Sequence, residues 1–130
     1  MSAIPTRWMA QMEGQLADAD RRMSAAQRHL DGGTGGRAIE AAYPGVMGAA
    51  MVKVWLGDEP WHQQRSLSDY TRMVRTELPS GFATLFEMTL DQRSFAGWRP
   101  EDARPLIEEA KTFVAAVRAE LVRCAPNPTA

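Results

Sequence analysis

Apolar residues recur at alternating steps of three and four along the first part of the chain. They are Met9, Met12, Leu16, Ala19, Met23, Ala26 and Leu30. This spacing places all seven on one side of an α-helix, while Glu13, Asp18 and Arg28 fall on the other side. The pattern therefore predicts an amphipathic helix from about Arg7 to Leu30. The glycine-rich run after it predicts a loop, because glycine loses much backbone entropy in a helix.

A second helix is predicted from about Arg37 to Leu56, with small residues at many positions. These are Ala41, Ala42, Gly45, Gly48, Ala49 and Ala50, and they permit close approach by a neighbouring backbone. Pro44 lies inside this segment. Because proline lacks an amide hydrogen and clashes with the preceding turn, we expect a kink or a delayed helix start there. Gly57 is expected to cap the end.

Three further helices are predicted in the second half of the chain. The third covers about Leu67 to Leu78 and is capped by Ser66, and the fourth covers about Phe82 to Ala96. The fifth begins at Pro100, a residue favoured in the first turn, and its apolar stripe extends to Leu121. Two prolines close to the C-terminus predict a frayed tail.

No segment shows the alternation of apolar and polar residues that is typical of a strand. Five helices with short connections predict an all-α, antiparallel up-and-down bundle. The length of 130 residues suits a single domain, with an ordered core over about residues 7–123.

Charge and cysteine content narrow the class of protein. The formal net charge is −1, which argues against a general electrostatic attraction to nucleic-acid phosphates. Cys124 is the only cysteine, so an intrachain disulfide is impossible, and we expect a reduced, cytoplasmic protein. The longest apolar stretch is far shorter than the about 20 residues that span a bilayer. No spacing of ligands predicts a metal, and no motif predicts a cofactor.

Four pieces of sequence, taken in order, resemble the HEPN family. They are Ala42-Tyr43 leading to Met47–Met51 and Val54-Trp55-Leu56, then His62–Ser66, then Arg93–Trp98, and finally Glu101-Asp102-Ala103 continuing through Ile107, Ala110, Phe113 and Val117. Together they cover about residues 8–122. HEPN proteins are helical bundles that are often encoded beside small nucleotidyltransferases. The resemblance implies a HEPN-like bundle that forms a homodimer and acts as the companion, antitoxin or toxin partner of a nucleotidyltransferase. The small-residue second helix also favours dimerisation, because it allows partner helices to pack closely.

The resemblance also bears on catalysis. HEPN ribonucleases carry an arginine followed, after four to six residues, by a histidine that transfers protons at the ribose. After Arg93 the matching positions hold Trp98, Arg99 and Pro100, none of which is an acid or base near neutral pH. We therefore predict a non-catalytic interaction module.

Five residues are the candidate contacts for a nucleotide, an RNA or a partner protein: Trp61, His62, Arg65, Arg93 and Trp98. Two alternatives stay open. In one, His62 and Arg93 form a rearranged site in an RNA-cleaving toxin. In the other, the chain is an unrelated helical scaffold or small-molecule binder. A further pair, Arg22 and His29, has suitable spacing, but we interpret it as a chance match on a solvated face.

Overall fold

The computed structural model describes residues 3–88, 95 and 97–124. Within them lie α1 (Thr6–Asp31), α2 (Gly35–Asp58), α3 (Leu67–Glu77), α4 (Ser80–Glu87) and α5 (Pro100–Cys124). These described residues contain no strand, so the prediction of an all-α helical bundle is confirmed. None of the described helices combines the length and the apolar content needed to cross a membrane.

The three long helices pack side by side, and α1 runs antiparallel to both α2 and α5. Polar contacts fix the register of α1 against α5. The Arg118 guanidinium donates a hydrogen bond to the carbonyl of Leu16 at 3.1 Å and forms an ion pair with Asp20 at 2.7 Å. Further along, Lys111 donates to the side-chain oxygen of Gln27. The shorter α3 and α4 connect the end of α2 back to the start of α5.

The core follows the predicted apolar stripes closely. In α1 the buried residues are Met12, Leu16, Ala19, Met23, Ala26 and Leu30. In α5 they are Ala103, Ile107, Ala110, Val114, Val117 and Leu121. Burial of these two stripes against α2 removes apolar surface from water, which is the main force that holds the bundle together.

The small residues of α2 allow close approach, as predicted, but the neighbour is α1 of the same chain. A Cβ on Gly45 would lie 3.1 to 3.3 Å from atoms of Met23, Arg22 and Ala19. Ala38, Ala42, Ala49 and Ala50 are fully buried. Most of the small-residue face therefore packs within the chain, against α1.

Both predicted ends of α2 need correction. The helix begins at Gly35 and continues through Pro44 without interruption, so the delayed start was wrong. It also passes Gly57 and ends at Asp58. The cap is Glu59, whose backbone is left-handed at φ 54° and whose amide donates to the Trp55 carbonyl at 2.9 Å.

The two glycines that open α2 have a steric role. A Cβ on Gly35 would collide with the carbonyl of Arg99, and one on Gly36 would collide with the carbonyl of Phe95. Glycine is required here because the chain before α5 lies directly against the first turn of α2. Both glycines lie within the helix, so the connecting loop is shorter than the glycine run predicted.

The predicted fourth helix was too long. The observed α4 begins at Ser80 and ends at Glu87. Met88 has extended backbone, and Phe95 is not helical. Its remaining predicted positions, 89–94 and 96, lie outside the described residues. The prediction for the start of α3 is confirmed, because the Ser66 hydroxyl accepts a hydrogen bond from the Asp69 amide at 3.1 Å.

Candidate functional site

Three tryptophans meet at one end of the bundle, where α1 begins and α2 ends. Trp8 lies in the first turn of α1, Trp55 lies in the last turn of α2, and Trp61 lies in the loop that follows. The Trp8 ring is 5.2 Å from that of Trp55, edge-on at 74°, and 6.1 Å from that of Trp61. Antiparallel packing of α1 and α2 therefore creates an aromatic cluster from distant parts of the sequence.

The loop after α2 is held in place by a nearly buried carboxylate. The side chain of Asp58 is only 3% exposed, and its Oδ1 is 2.5 Å from Nε of Arg65. The hydroxyl of Tyr70, on α3, lies 3.5 Å from the other carboxylate oxygen. Asp58 therefore ties both ends of the loop together, and Arg65 is the ionic partner of this acid while its side chain stays 38% exposed.

The electrostatics of this anchor agree with its geometry. The hydrogen bond and the negative charge of Asp58 raise the pKa of Arg65 above its ordinary value. Burial raises the pKa of Tyr70, and the charge of Asp58 raises it further. Both side chains consequently keep their protons over the whole physiological range.

A cleft opens beside the aromatic cluster. Its lining is Pro5, Arg7, Trp8, Pro60, Trp61, His62, Gln63 and Gln64, and its volume is about 420 Å³. We call this the tryptophan cleft. His62 is 60% exposed, with Nε2 3.8 Å from a carboxylate oxygen of Glu59 and its ring 6.2 Å from that of Trp61. The cleft thus combines aromatic faces with the guanidinium of Arg7 and the imidazole of His62.

Trp98 lies at the opposite end of the bundle. Its ring packs edge-on against Phe95 at 6.0 Å, beside Arg37 and Glu40 of the first turns of α2. This position is separated from the tryptophan cleft by the length of α2, which for 24 residues is about 36 Å. Trp98 therefore does not share a site with Trp61 and His62.

The structure also separates the other residues that were predicted as candidate contacts. Trp61, His62 and Arg65 all come from the loop between α2 and α3. Trp61 and His62 line the tryptophan cleft, whereas Arg65 binds Asp58. Arg93 lies outside the described residues, and its predicted pairing with His62 stays a prediction. Arg22 forms an ion pair with Asp18 at 2.8 Å, and the His29 ring is 3.4 Å from the Thr34 hydroxyl, so each has a local partner on the helix surface.

Sequence patterns missed two parts of this site. Arg7 and Trp8 were assigned only to the start of a helix, although antiparallel pairing of α1 with α2 places that start beside the loop after α2. Asp58 was placed in a loop, where nothing in the local sequence indicates burial. The described residues contain no group of three side chains arranged to hold a metal ion.

Comparison with known proteins yields no relative: no family model, no curated protein and no solved structure matches this chain.

Proposed function

We propose that this protein is an interaction module that binds a partner protein through the tryptophan cleft. The observation that carries the proposal is the pair of half-buried rings, Trp8 and Trp61, held 6.1 Å apart beside Arg7. Tryptophan and arginine are the residues that contribute most to protein interfaces when they lie in a packed patch. Here Trp8 lies on α1, and Trp61 lies in the loop whose two ends Asp58 ties together, so less conformational entropy is lost on binding.

The resemblance to HEPN domains supports a nucleotidyltransferase as the partner, with this chain as its companion or antitoxin. The cleft has the matching chemistry for an acidic protein surface, because the guanidinium of Arg7 lines it. We propose no catalytic role for the chain in this assembly.

The experiment is affinity capture from the source cell with three tagged proteins: wild type, Trp61→Ala and Trp98→Ala. The wild type and the Trp98→Ala variant are expected to retain a nucleotidyltransferase. The Trp61→Ala variant is expected to lose at least nine tenths of it, because a central tryptophan contributes about 2 kcal/mol or more. Equal capture by all three proteins, or capture of no nucleotidyltransferase, contradicts the proposal.

A second candidate function is RNA cleavage, and one observation favours it. Arg7 and His62 line the same cleft, which offers a cation for a phosphate and an imidazole for proton transfer. In this alternative Arg7 takes the role that sequence patterns gave to Arg93. Purified wild-type protein would cut RNA, and both Arg7→Ala and His62→Ala would abolish the activity. An inert wild-type preparation removes this candidate.

A further inference from the structure

Three helix ends meet at the end of the bundle that carries the tryptophan cleft. Because α1 runs antiparallel to both α2 and α5, the start of α1 lies beside the last residues of both helices. Met9 of α1 and Val122 of α5 line one groove, which places the end of α5 next to the first turns of α1. The chain therefore leaves α5 at the same end of the bundle as Trp8 and Trp61.

The chain that follows α5 is long enough to reach the cleft. Residues 125–130 follow Cys124, and the predicted frayed tail falls within them, outside the described residues. We call residues 125–130 the proline segment. An extended chain advances about 3.3 Å per residue, so six residues cover about 20 Å. This length exceeds the about 8–10 Å between the axes of neighbouring packed helices. The proline segment can therefore cross from the end of α5 to the lining of the cleft.

The sequence of the proline segment, Ala-Pro-Asn-Pro-Thr-Ala, favours an extended backbone. Pro126 and Pro128 fix their own φ angles at about −65°. Proline also restricts the residue before it to extended conformations, which adds Ala125 and Asn127. The sequence therefore restricts these four consecutive residues toward polyproline II, and little backbone entropy is lost when they bind.

The tryptophan cleft has the chemistry that binds such a segment. Polyproline II segments dock in grooves lined by aromatic rings, and their backbone carbonyls have no internal hydrogen-bond partners. The rings of Trp8 and Trp61 are 6.1 Å apart and inclined at 53°. Two prolines separated by one residue are about 6 Å apart along a polyproline II helix, so each ring can contact one proline. Gln63 and Gln64, also in the lining, are exposed amides that can donate to the carbonyls.

We propose that the proline segment lies in the tryptophan cleft of its own chain, with its two prolines against the rings of Trp8 and Trp61. A partner protein must displace it in order to bind. The proposal rests on the proposed function, because it names what regulates binding at the same cleft. A short tether holds the segment at an effective concentration in the millimolar range, so even a weak ligand occupies the cleft.

Occupancy by the proline segment lowers the apparent affinity of the cleft for a partner protein. A partner binds only those molecules whose cleft is open, so its apparent dissociation constant rises by the inverse of the open fraction. An open fraction of about one third gives a threefold effect. The segment therefore selects for partners that bind tightly, and it excludes weak apolar ligands.

The first test is fluorine NMR of the full chain labelled with 5-fluorotryptophan, which gives a separate signal for each tryptophan. The variant with Pro126→Ala and Pro128→Ala, called the double proline variant, removes both proline rings from the segment. It is expected to shift the signals of Trp8 and Trp61, because prolines no longer cover these rings. If either signal stays unchanged in the double proline variant, the proposal is wrong.

Two controls separate occupancy of the cleft from other effects. Pro105→Ala removes a proline near the start of α5, at the opposite end of that helix, and is expected to leave both cleft signals unchanged. The signal of Trp98, at the far end of α2, is expected to be the same in wild type and in the double proline variant. Wild-type signals are expected not to change on dilution. Signals that shift on dilution mean that the segment enters the cleft of a second copy, which overturns the proposal.

The second test adds the proline segment as a separate peptide, Ala-Pro-Asn-Pro-Thr-Ala with blocked ends, to the full chain. The double proline variant is expected to bind this peptide about threefold more tightly than wild type, in which the tethered segment competes. A peptide with alanine in place of both prolines is the control, and it is expected to bind neither protein. Equal affinity of both proteins for the proline peptide, or no binding to the double proline variant, contradicts the proposal.

These tests are separate from the capture of a nucleotidyltransferase, because the fluorine signals and the peptide report on the cleft without any partner protein. In the affinity capture, the double proline variant is expected to retain about threefold more nucleotidyltransferase than wild type when the partner is limiting. Capture by neither protein contradicts the proposed function alone. Equal capture by both proteins contradicts the regulation alone.

Discussion

At the scale of single residues, Gly36 has the strictest steric requirement in the molecule. A Cβ there would collide with the backbone of Phe95, whereas a Cβ on Gly14, in the exposed part of α1, would meet nothing within 4 Å. We expect Gly36→Ala to lower the free energy of unfolding by about 1–3 kcal/mol through overpacking. We expect Gly14→Ala to raise it by about 0.5–1 kcal/mol, because alanine favours the helix.

Urea denaturation of both variants measures this contrast. Gly14→Ala is the matched control, since it makes the same chemical change in a helix without the close neighbour. If both alanine variants are equally stabilised, the chain before α5 does not lie against the start of α2.

Asp18 gives a pH dependence with a definite sign. Its pKa is held below the ordinary value of 3.8, first by the hydrogen bond from Arg22 and then by the positive charges of Arg22 and Arg21. A depressed pKa in the folded state means that the ionised form stabilises the fold. This contribution is present above the ordinary pKa and is lost as the pH falls through the lower, folded-state value.

The measurement is thermal unfolding of wild type and Asp18→Asn from about pH 7 to about pH 2. The wild type is expected to be the more stable at neutral pH, by a small amount because Asp18 is 40% exposed and screened by solvent. The difference in stability between the two proteins should disappear in acid. A difference that stays constant from neutral pH to acid would show that the Asp18–Arg22 ion pair does not cause it.

At the scale of the elements, Pro44 is the clearest conflict between local sequence and fold. Proline inside a helix removes one backbone hydrogen bond, yet α2 continues through it. Tertiary burial of the α2 faces against α1 and α5 explains this tolerance. Pro44→Ala is therefore expected to stabilise the protein by about 1–3 kcal/mol. A urea midpoint that stays equal or falls would show that Pro44 fits a local backbone geometry which alanine does not reproduce.

Helices with one continuous apolar stripe were predictable from sequence, and helices shaped by contacts with distant residues were not. The stripes of α1 and α5 have regular spacing, so their cores and approximate bounds follow from periodicity. At the start of α2, Gly35 lies against the backbone of Arg99, a contact 64 residues away in sequence. Helix propensity alone marks Gly35 as a helix breaker, because propensity carries no information on which distant residues pack against the glycine.

The candidate site, too, was only partly predictable from local sequence. Trp61 and His62 were found because they flank a loop, which is where binding residues concentrate. Their neighbours Arg7 and Trp8 lie more than fifty residues earlier and become part of the site only through the antiparallel pairing of α1 and α2. The burial of Asp58 likewise depends on Arg65 and Tyr70 folding over it.

At the scale of the whole molecule, the bundle separates two candidate surfaces. The tryptophan cleft lies at the end where α1 begins, and Trp98 lies at the far end of α2. We expect one partner molecule per copy of the chain, so light scattering of the purified complex should give equal numbers of the two proteins. Two copies of the chain for each partner molecule would contradict this expectation.

Photo-crosslinking in the source cell tests most directly whether the tryptophan cleft binds the partner protein. A photoreactive amino acid is placed at Gln63 or at Arg99. Gln63 is exposed and lines the tryptophan cleft, while Arg99 is 71% exposed at the opposite end of α2. We expect a discrete adduct with a nucleotidyltransferase from position 63 and none from position 99. Adducts from position 99 alone, or the same adducts from both positions, would contradict binding at the cleft.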